Sequence, residues 1–313
     1  MAAPSFKRNV IDLFGEELIS YQDSEGQIGL ELIPAKGLIS DIKLEGLSIL
    51  NGPKTKEDVE SNSAYRSSFL APFPNRLKAG KFTFQDKEYQ FPINDVEFKN
   101  ALHGIKIDNG FKITNEEARG GLNVSMEYNY DGGLDYFPFP YCISVDISID
   151  SYKCQLGIQI QNTGATEAPL GIGWHPYLTL QQSIDDCQLC IPSCKQISLD
   201  ESFIPDGKLI PFKDYAKCKT IGDVDFNTAF LFVKDADFTS VSLENDAYKL
   251  RYFQETKPEK FNYFQIYTPG DRESICFEPM SCNIDAHNNL GGLQVLKPGK
   301  KFRARCGVAL QKK

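Results

Sequence analysis

Only three histidines occur in the 313 residues, so each can be weighed singly for acid–base work. His175 lies in Gly171-Ile172-Gly173-Trp174-His175-Pro176-Tyr177, where small residues, the single Trp, a Pro and a Tyr have the composition of a shaped pocket wall. His103 precedes Gly104, which lets the backbone turn sharply or approach a ligand closely. His287 stands in the polar run Asp285-Ala286-His287-Asn288-Asn289 and reads as a surface residue. Glu278 follows Ser274-Ile275-Cys276-Phe277 and precedes Pro279, which places a carboxylate at the end of an apolar strand. Burial there would raise its pKa toward that of a general base. Arg76 follows Pro72-Phe73-Pro74-Asn75, a stiffened mount that presents adjacent Asn and Arg side chains to hydroxyl groups. Each group also has a structural alternative: a satisfied histidine, a strand-end ion pair, a surface arginine.

The elements that must carry these groups are strands. In Tyr141–Asp150, Ile143, Val145, Ile147 and Ile149 alternate with Ser144, Asp146 and Ser148. This period of two marks a half-buried strand. Leu156, Ile158 and Ile160 repeat the pattern after the short Ser151–Cys154 connection and predict a hairpin. Phe82, Phe84, Tyr89 and Phe91 around Gln85-Asp86-Lys87 predict another. Turn signals at Asp131-Gly132-Gly133, Asn162-Thr163-Gly164, Pro205-Asp206-Gly207, Pro269-Gly270-Asp271 and Pro298-Gly299-Lys300 leave room for short strands between them. Helical periodicity is weak; Glu57–Ser68 is the one stretch considered for a short helix. No fixed-period repeat occurs, which favours a sandwich over a propeller or solenoid. The expected fold is a large antiparallel β architecture in a single domain, 1–313.

With 41% apolar and 24% charged residues the chain can bury a substantial core. Its net charge of −8 and scattered basic residues argue against nucleic acid and anionic membranes as partners. Met1–Phe14 carries Lys7, Arg8 and Asp12 and does not read as a signal peptide, so a cytoplasmic location is expected. Nine cysteines, an odd number in a chain of this size, suggest reduced thiols. Cys187, Cys190 and Cys194 form a C-x2-C-x3-C cluster without an evident fourth ligand, and buried inert thiols are preferred to a metal site.

Taken in order, Pro74-Asn75-Arg76, Gly80-Lys81-Phe82, Leu102-His103-Gly104, Trp174-His175-Pro176-Tyr177, and Phe277-Glu278-Pro279 with Pro298-Gly299 downstream resemble the aldose 1-epimerases (galactose mutarotases). The resemblance runs from about Phe69 to Leu310. It implies a large twisted β-sandwich, or supersandwich, with a sugar site in an open cleft on one sheet. It further implies Glu278 as general base, His175 as general acid, and His103 and Arg76 as sugar-binding groups, with no cofactor and no metal in the chemistry. Asn75 and Tyr177, beside these positions, join the substrate-binding set. The family's sugar-binding Asp, a few residues before a Phe, falls in Asp223-Val224-Asp225-Phe226-Asn227-Thr228-Ala229-Phe230. Spacing to Phe230 puts Asn227 at that place and makes Asp225 the nearest carboxylate.

The activity so implied is interconversion of the anomers of a free monosaccharide, by a monomer or homodimer. Ring opening removes a proton from the anomeric hydroxyl while another is given to the ring oxygen, and the roles exchange on reclosure. An acid and a base suffice, each contributing roughly 10²- to 10⁴-fold. The pair is expected to hold Glu278 ionised beside a protonated His175. A hexose-phosphate mutarotase of the same superfamily would need more cations than Arg66 and Lys78 near Arg76. A non-catalytic sugar-binding protein would be expected to lack Glu278 or His175, and both are present.

Overall fold

The computed structural model describes residues 5–107, 110–118, 120–232 and 236–313. Residues 1–4 of the N-terminal segment lie outside the described residues. Three large antiparallel sheets dominate. The first has five strands in chain order: β1 (Phe6–Leu13), β2 (Glu16–Asp23), β3 (Gly29–Ile33), β4 (Leu38–Leu44) and β5 (Leu47–Ser48). The second has nine, and its middle is the pair Lys153–Asn162 and Lys301–Lys312. The third has eight, running from Pro205–Phe212 at one edge through Cys194–Leu199, Asn227–Leu231, Tyr263–Tyr267 and Ile275–Met280 to Gly173–Trp174 and Phe69–Leu70; Tyr177–Leu178 also pairs with Ile275–Met280. This is the expected large antiparallel all-β architecture.

The layering follows from the alternation of side chains. In Tyr141–Ile149 the residues Ile143, Val145, Ile147 and Ile149 are buried while Asp146 and Ser148 face water. This strand pairs with Lys153–Asn162 in the expected hairpin, Ile143 opposite Ile160 and Ile149 opposite Cys154. Asp150 closes the turn by accepting the N–H groups of Tyr152 and Lys153 through Oδ1. These side chains join Leu30, Trp174, Phe230, Phe264, Phe277 and Val308 in one apolar cluster between the sheets. At about 25 cal/mol per Å² of apolar surface removed from water, such a cluster is the main favourable term. The Phe82/Tyr89 hairpin forms over Lys81–Phe84 and Lys87–Gln90, with Gln85 and Asp86 at φ of 51° and 62° in a tight two-residue loop.

Four expectations need correction. The helix considered over Glu57–Ser68 is only Lys56–Glu60, started by a capping box between Thr55 and Asp58 and followed by left-handed residues at Asn62, Tyr65 and Ser67. The turn signal Pro205-Asp206-Gly207 lies inside the strand Pro205–Phe212, where the register to Cys194–Leu199 shifts between Ile197 and Leu199. His287 is not a surface residue. It is buried, its Nε2 meets Pro169 O at 3.0 Å, and its ring stands edge-on to Phe73 and Phe82. Finally, the cysteines are not all reduced: Cys190 and Cys218 form a disulfide. Pairing of Gln188 with Thr220 and Leu189 with Lys219 sets these two residues opposite each other, 4.3 Å apart at Cα. The other seven cysteines, Cys187 and Cys194 among them, are buried free thiols. Among the described residues no helix is long and apolar enough to cross a membrane.

Candidate active site

Glu278 sits in Ile275–Met280, a strand buried on both faces. Ile275 and Phe277 turn into the apolar cluster, so Cys276, Glu278 and Met280 share the other face. Register brings neighbours to the carboxylate: Gln265 is directly opposite Glu278 on Tyr263–Tyr267, and Tyr177 is opposite Cys276. Two residues before Tyr177, the His175 ring reaches Glu278, with Nε2 3.4 Å from Oε1. One strand beyond Gln265, Asn227 lies on the same face; its Oδ1 accepts from Gln265 Nε2 at 2.8 Å. A polar row of Asn227, Gln265 and Glu278 thus crosses three neighbouring strands and ends on His175, in the connection between Gly173–Trp174 and Tyr177–Leu178.

A second wall comes from the short pairing of Arg76–Leu77 with Ala101–Leu102. Asn75 and His103 both adopt left-handed backbone, φ 61° and 62°, and clasp each other: His103 N–H donates to Asn75 O at 2.8 Å, and Asn75 N–H donates to His103 Nδ1 at 3.1 Å. The second bond fixes the tautomer, leaving the proton on Nε2 as the group His103 can donate to a ligand. Gly104 is required behind it, because φ is 73° and a Cβ would lie 2.2 Å from the Ala71 carbonyl oxygen. The His103 ring lies 5.2 Å from that of His175, edge to face, and 4.5 Å from that of Tyr65. Arg76 is held by Asp95 through Nε at 2.7 Å and lies over the rings of Phe203 and Phe98.

Burial sets the charges. Glu278 is 2% exposed and desolvation raises its pKa to about 8, with the Arg76 guanidinium pulling the other way. Desolvation, with a smaller push from the Arg66 charge, lowers His175 to about 4. His103 is held well below the ordinary imidazole value by burial, by His175 and by Arg76. The expected ion pair is therefore not the resting state of the unliganded cleft. A neutral carboxyl beside a neutral imidazole carries the same single proton without a buried charge. Three buried polar atoms here lack a hydrogen-bond partner: Glu278 Oε2, Gln265 Oε1 and His175 Nδ1. A native protein rarely leaves such atoms unsatisfied without a functional reason.

The structure brings Glu278, His175 and His103 together, links Asn75 and Arg76 to them through His103 and Asn227 through Gln265, and sets two other candidates apart. Tyr177 gives its hydroxyl to Ala64 O at 2.7 Å and stacks its ring 5.2 Å from that of His175, with Arg66 on it, so it backs the histidine instead of meeting a ligand. Asp225 turns its carboxylate to Arg272, 2.6 Å away on the surface. Gln265, Tyr65, Arg66 and Asp95 were not singled out from the sequence. Gln265 had one readable signal, a polar residue between Tyr263 and Tyr267 at strand spacing. The ligand atoms of His103, His175 and Glu278 lie within 4.8 Å of one another, a spacing that could hold a cation. The His103 tautomer argues against it, since a metal-bound imidazole donates its second N–H outward and here Nδ1 accepts instead. Cys190, Cys218 and Glu244 also cluster, but the disulfide leaves no thiolate to bind.

Residues 37–309 match the aldose 1-epimerase family, and the chain belongs to that family. It is 28% identical over 258 residues to the uncharacterized protein YihR of Escherichia coli (strain K12), a match covering 80% of each chain. The galactose mutarotase of Homo sapiens is 26% identical over 192 residues, which span 60% of this chain and 52% of the human protein. Among solved structures, a galactose mutarotase-like protein from Clostridium acetobutylicum superposes with a TM-score of 0.86 over 99% of both chains at 19% identity. The galactose 1-epimerase from Lactobacillus acidophilus NCFM gives 0.81 at 16% identity, covering 98% of this chain and 99% of that one. These structures share its fold. Family membership makes a carbohydrate epimerase the general role.

Proposed function

We propose that this protein interconverts the α and β anomers of a free, neutral aldose, with Glu278 and His175 as the proton-transfer pair. The observation that carries this reading is the 3.4 Å contact between the two buried side chains, beside polar atoms that lack hydrogen-bond partners. The pair holds one proton. An anomeric hydroxyl donating to Glu278 favours the carboxylate, and the proton it displaces passes to His175. Glu278 then takes the hydroxyl proton as His175 protonates the ring oxygen, so neither an alkoxide nor an oxocarbenium ion forms alone. After rotation about the bond next to the carbonyl, the two groups exchange roles for reclosure. His103 Nε2–H and the terminal nitrogens of Arg76 donate to sugar oxygens, and Asn75 positions both through the clasp around His103. The Asn227–Gln265 pair offers a neutral amide where the family has an Asp. The chain works as one domain, 1–313, a reading supported by an apolar cluster that runs from Ile19 to Leu310.

Cation supply favours a neutral sugar over a phosphate ester. Arg76 is paired with Asp95, and Arg66 lies 3.6 Å from Asp271. Polarimetry of freshly dissolved α-glucose, α-galactose and a panel of pentoses, with and without protein, tests the proposal. Faster equilibration of at least one is expected. No acceleration of any would sink the enzymatic reading, and a hexose phosphate turned over far better than its parent sugar would replace the substrate class.

A further inference from the structure

β1 is an edge strand: among the described residues its backbone pairs only with β2. Its backbone polarity can be worked out from the hairpin. Leu13 and Glu16 close the two-residue loop Phe14-Gly15, and such a closing pair is hydrogen-bonded. Residues 13, 11, 9 and 7 therefore turn their N–H and C=O groups to β2. Phe6, Arg8, Val10 and Asp12 turn theirs outward. This edge carries charges at Lys7, Arg8 and Asp12 but lacks the backbone devices that block pairing. It contains no proline, and Val10, Ile11 and Phe14 are 52%, 46% and 45% exposed. The edge strand Pro205–Phe212, in contrast, carries Pro205, Lys208 and Pro211.

The charges on β1 are also incomplete. Asp12 is directly opposite Glu17 on β2, and neither has an ion-pair partner among the described residues. Like charges facing each other across a sheet are unfavourable unless a cation joins them. Arg8 shares their face, four residues from Asp12, with its Nε on Glu116 at 3.0 Å and Tyr21 beside it.

We propose that the outer edge of β1 pairs, antiparallel, with β1 of a second copy of this chain about a twofold axis at Val10. Opposed residues in an antiparallel pair turn their backbone groups alike, so the axis must centre on a residue. Centred on Val10, it sets Arg8 of each copy opposite Asp12 of the other and Phe6 opposite Phe14. Each Arg8 then supplies the cation that the Asp12–Glu17 pair lacks. Centred on Asn9, it sets Arg8 opposite Val10 and gives no charge pair. The contact is isologous and closes at two copies. One strand pair is a small interface, so the dimer forms in the micromolar range.

Sedimentation velocity on the full chain from about 1 to about 300 μM should show a monomer–dimer equilibrium. Asp12→Arg sets two arginine pairs face to face and should leave a monomer. Mixing Asp12→Arg with Arg8→Asp protein should restore a heterodimer, which neither misfolded variant could do. Val10→Cys should form an intermolecular disulfide with glutathione disulfide, because its hydrogen-bonded partner across the axis is itself, at a Cα separation of about 5.5 Å. Ile11→Cys should not, since it faces Asn9. The native free cysteines are all buried and do not compete. A wild-type chain that stays monomeric throughout, or that binds a different protein through this edge instead, would overturn the proposal. So would a dimer that survives Asp12→Arg, or equal cross-linking from Ile11→Cys.

Discussion

At the scale of single residues, the unusual property of the site is that its two central groups are both driven toward neutrality. The apparent pKa values belong to the pair, and the proposed mechanism makes the one-proton form the active one. The kcat/KM profile should be flat between limbs near pH 4, where the pair gains a second proton, and near pH 8, where it loses its only one. An acid limb centred above pH 6 would contradict this assignment. Glu278→Gln should lower kcat by at least about 10²-fold while sugar affinity largely survives, and His175→Asn should do the same. Because both act in one transition state, the double variant should lose much less than the product of the single losses. A folded Glu278→Gln protein within a few-fold of wild type would overturn the mechanism. Stability gives an independent reading. The raised Glu278 pKa means its contribution is intact below about pH 4.5, its unfolded value, and is lost as pH rises through about 8. Glu278→Gln should therefore melt at a higher temperature than wild type at pH 8 and above, with the difference vanishing by pH 4. Equal melting temperatures at both ends would show that the carboxyl is better solvated than its burial implies.

At the scale of elements, the cleft depends on backbone shapes as much as on side chains. Gly104→Ala places a Cβ against Ala71 O at a φ that L-residues avoid, so stability should fall by about 1–3 kcal/mol and turnover with it, as His103 loses its clasp with Asn75. Unchanged kinetics would show that the His103 clasp is dispensable. Asn227→Asp keeps an acceptor for Gln265 but adds a charge, and it should reorder the preferred sugars in a competition panel without abolishing turnover. The same elements mark what sequence could and could not reveal. Strands with a clean period of two, such as Tyr141–Ile149, were readable because one face meets apolar neighbours and the other water. Glu278, His175, His103 and Arg76 were readable through spaced motifs. Asp95 was not, and Gln265 showed only its polar place between Tyr263 and Tyr267, since their relevance comes from the partners that strand register and the fold bring to them. His287 was misread because polar neighbours in sequence say nothing of Phe73 and Phe82, which enclose it in space. The Cys190–Cys218 bond was hidden for the same reason: its halves are 28 residues apart and meet only through strand pairing.

At the scale of the whole molecule, the three sheets share one core, so the loss of one core ring should weaken the whole fold. Phe277→Ala removes a fully buried ring one residue from Glu278 and should cost about 3–5 kcal/mol of stability, measured by denaturant unfolding. A loss below about 1 kcal/mol would mean that the sheets close over the gap. The order of the nine-stranded sheet has a consequence for how this protein is made. Lys301–Lys312 fills the space between Lys153–Asn162 and Tyr248–Glu255, bonding to both. A ribosome adding about 5–20 residues per second delivers every other strand of this sheet before that one. Until it emerges, two half-sheets wait with open, apolar edges, and the lid over the core is split down its centre. Nascent chains stalled before residue 301 should be protease-sensitive and retained by chaperones, whereas chains stalled with residue 312 clear of the exit tunnel should resist digestion. Folding would then be gated by Lys301–Lys312, the strand of this sheet that comes last in chain order, and a separately supplied peptide of that sequence would serve as the missing keystone.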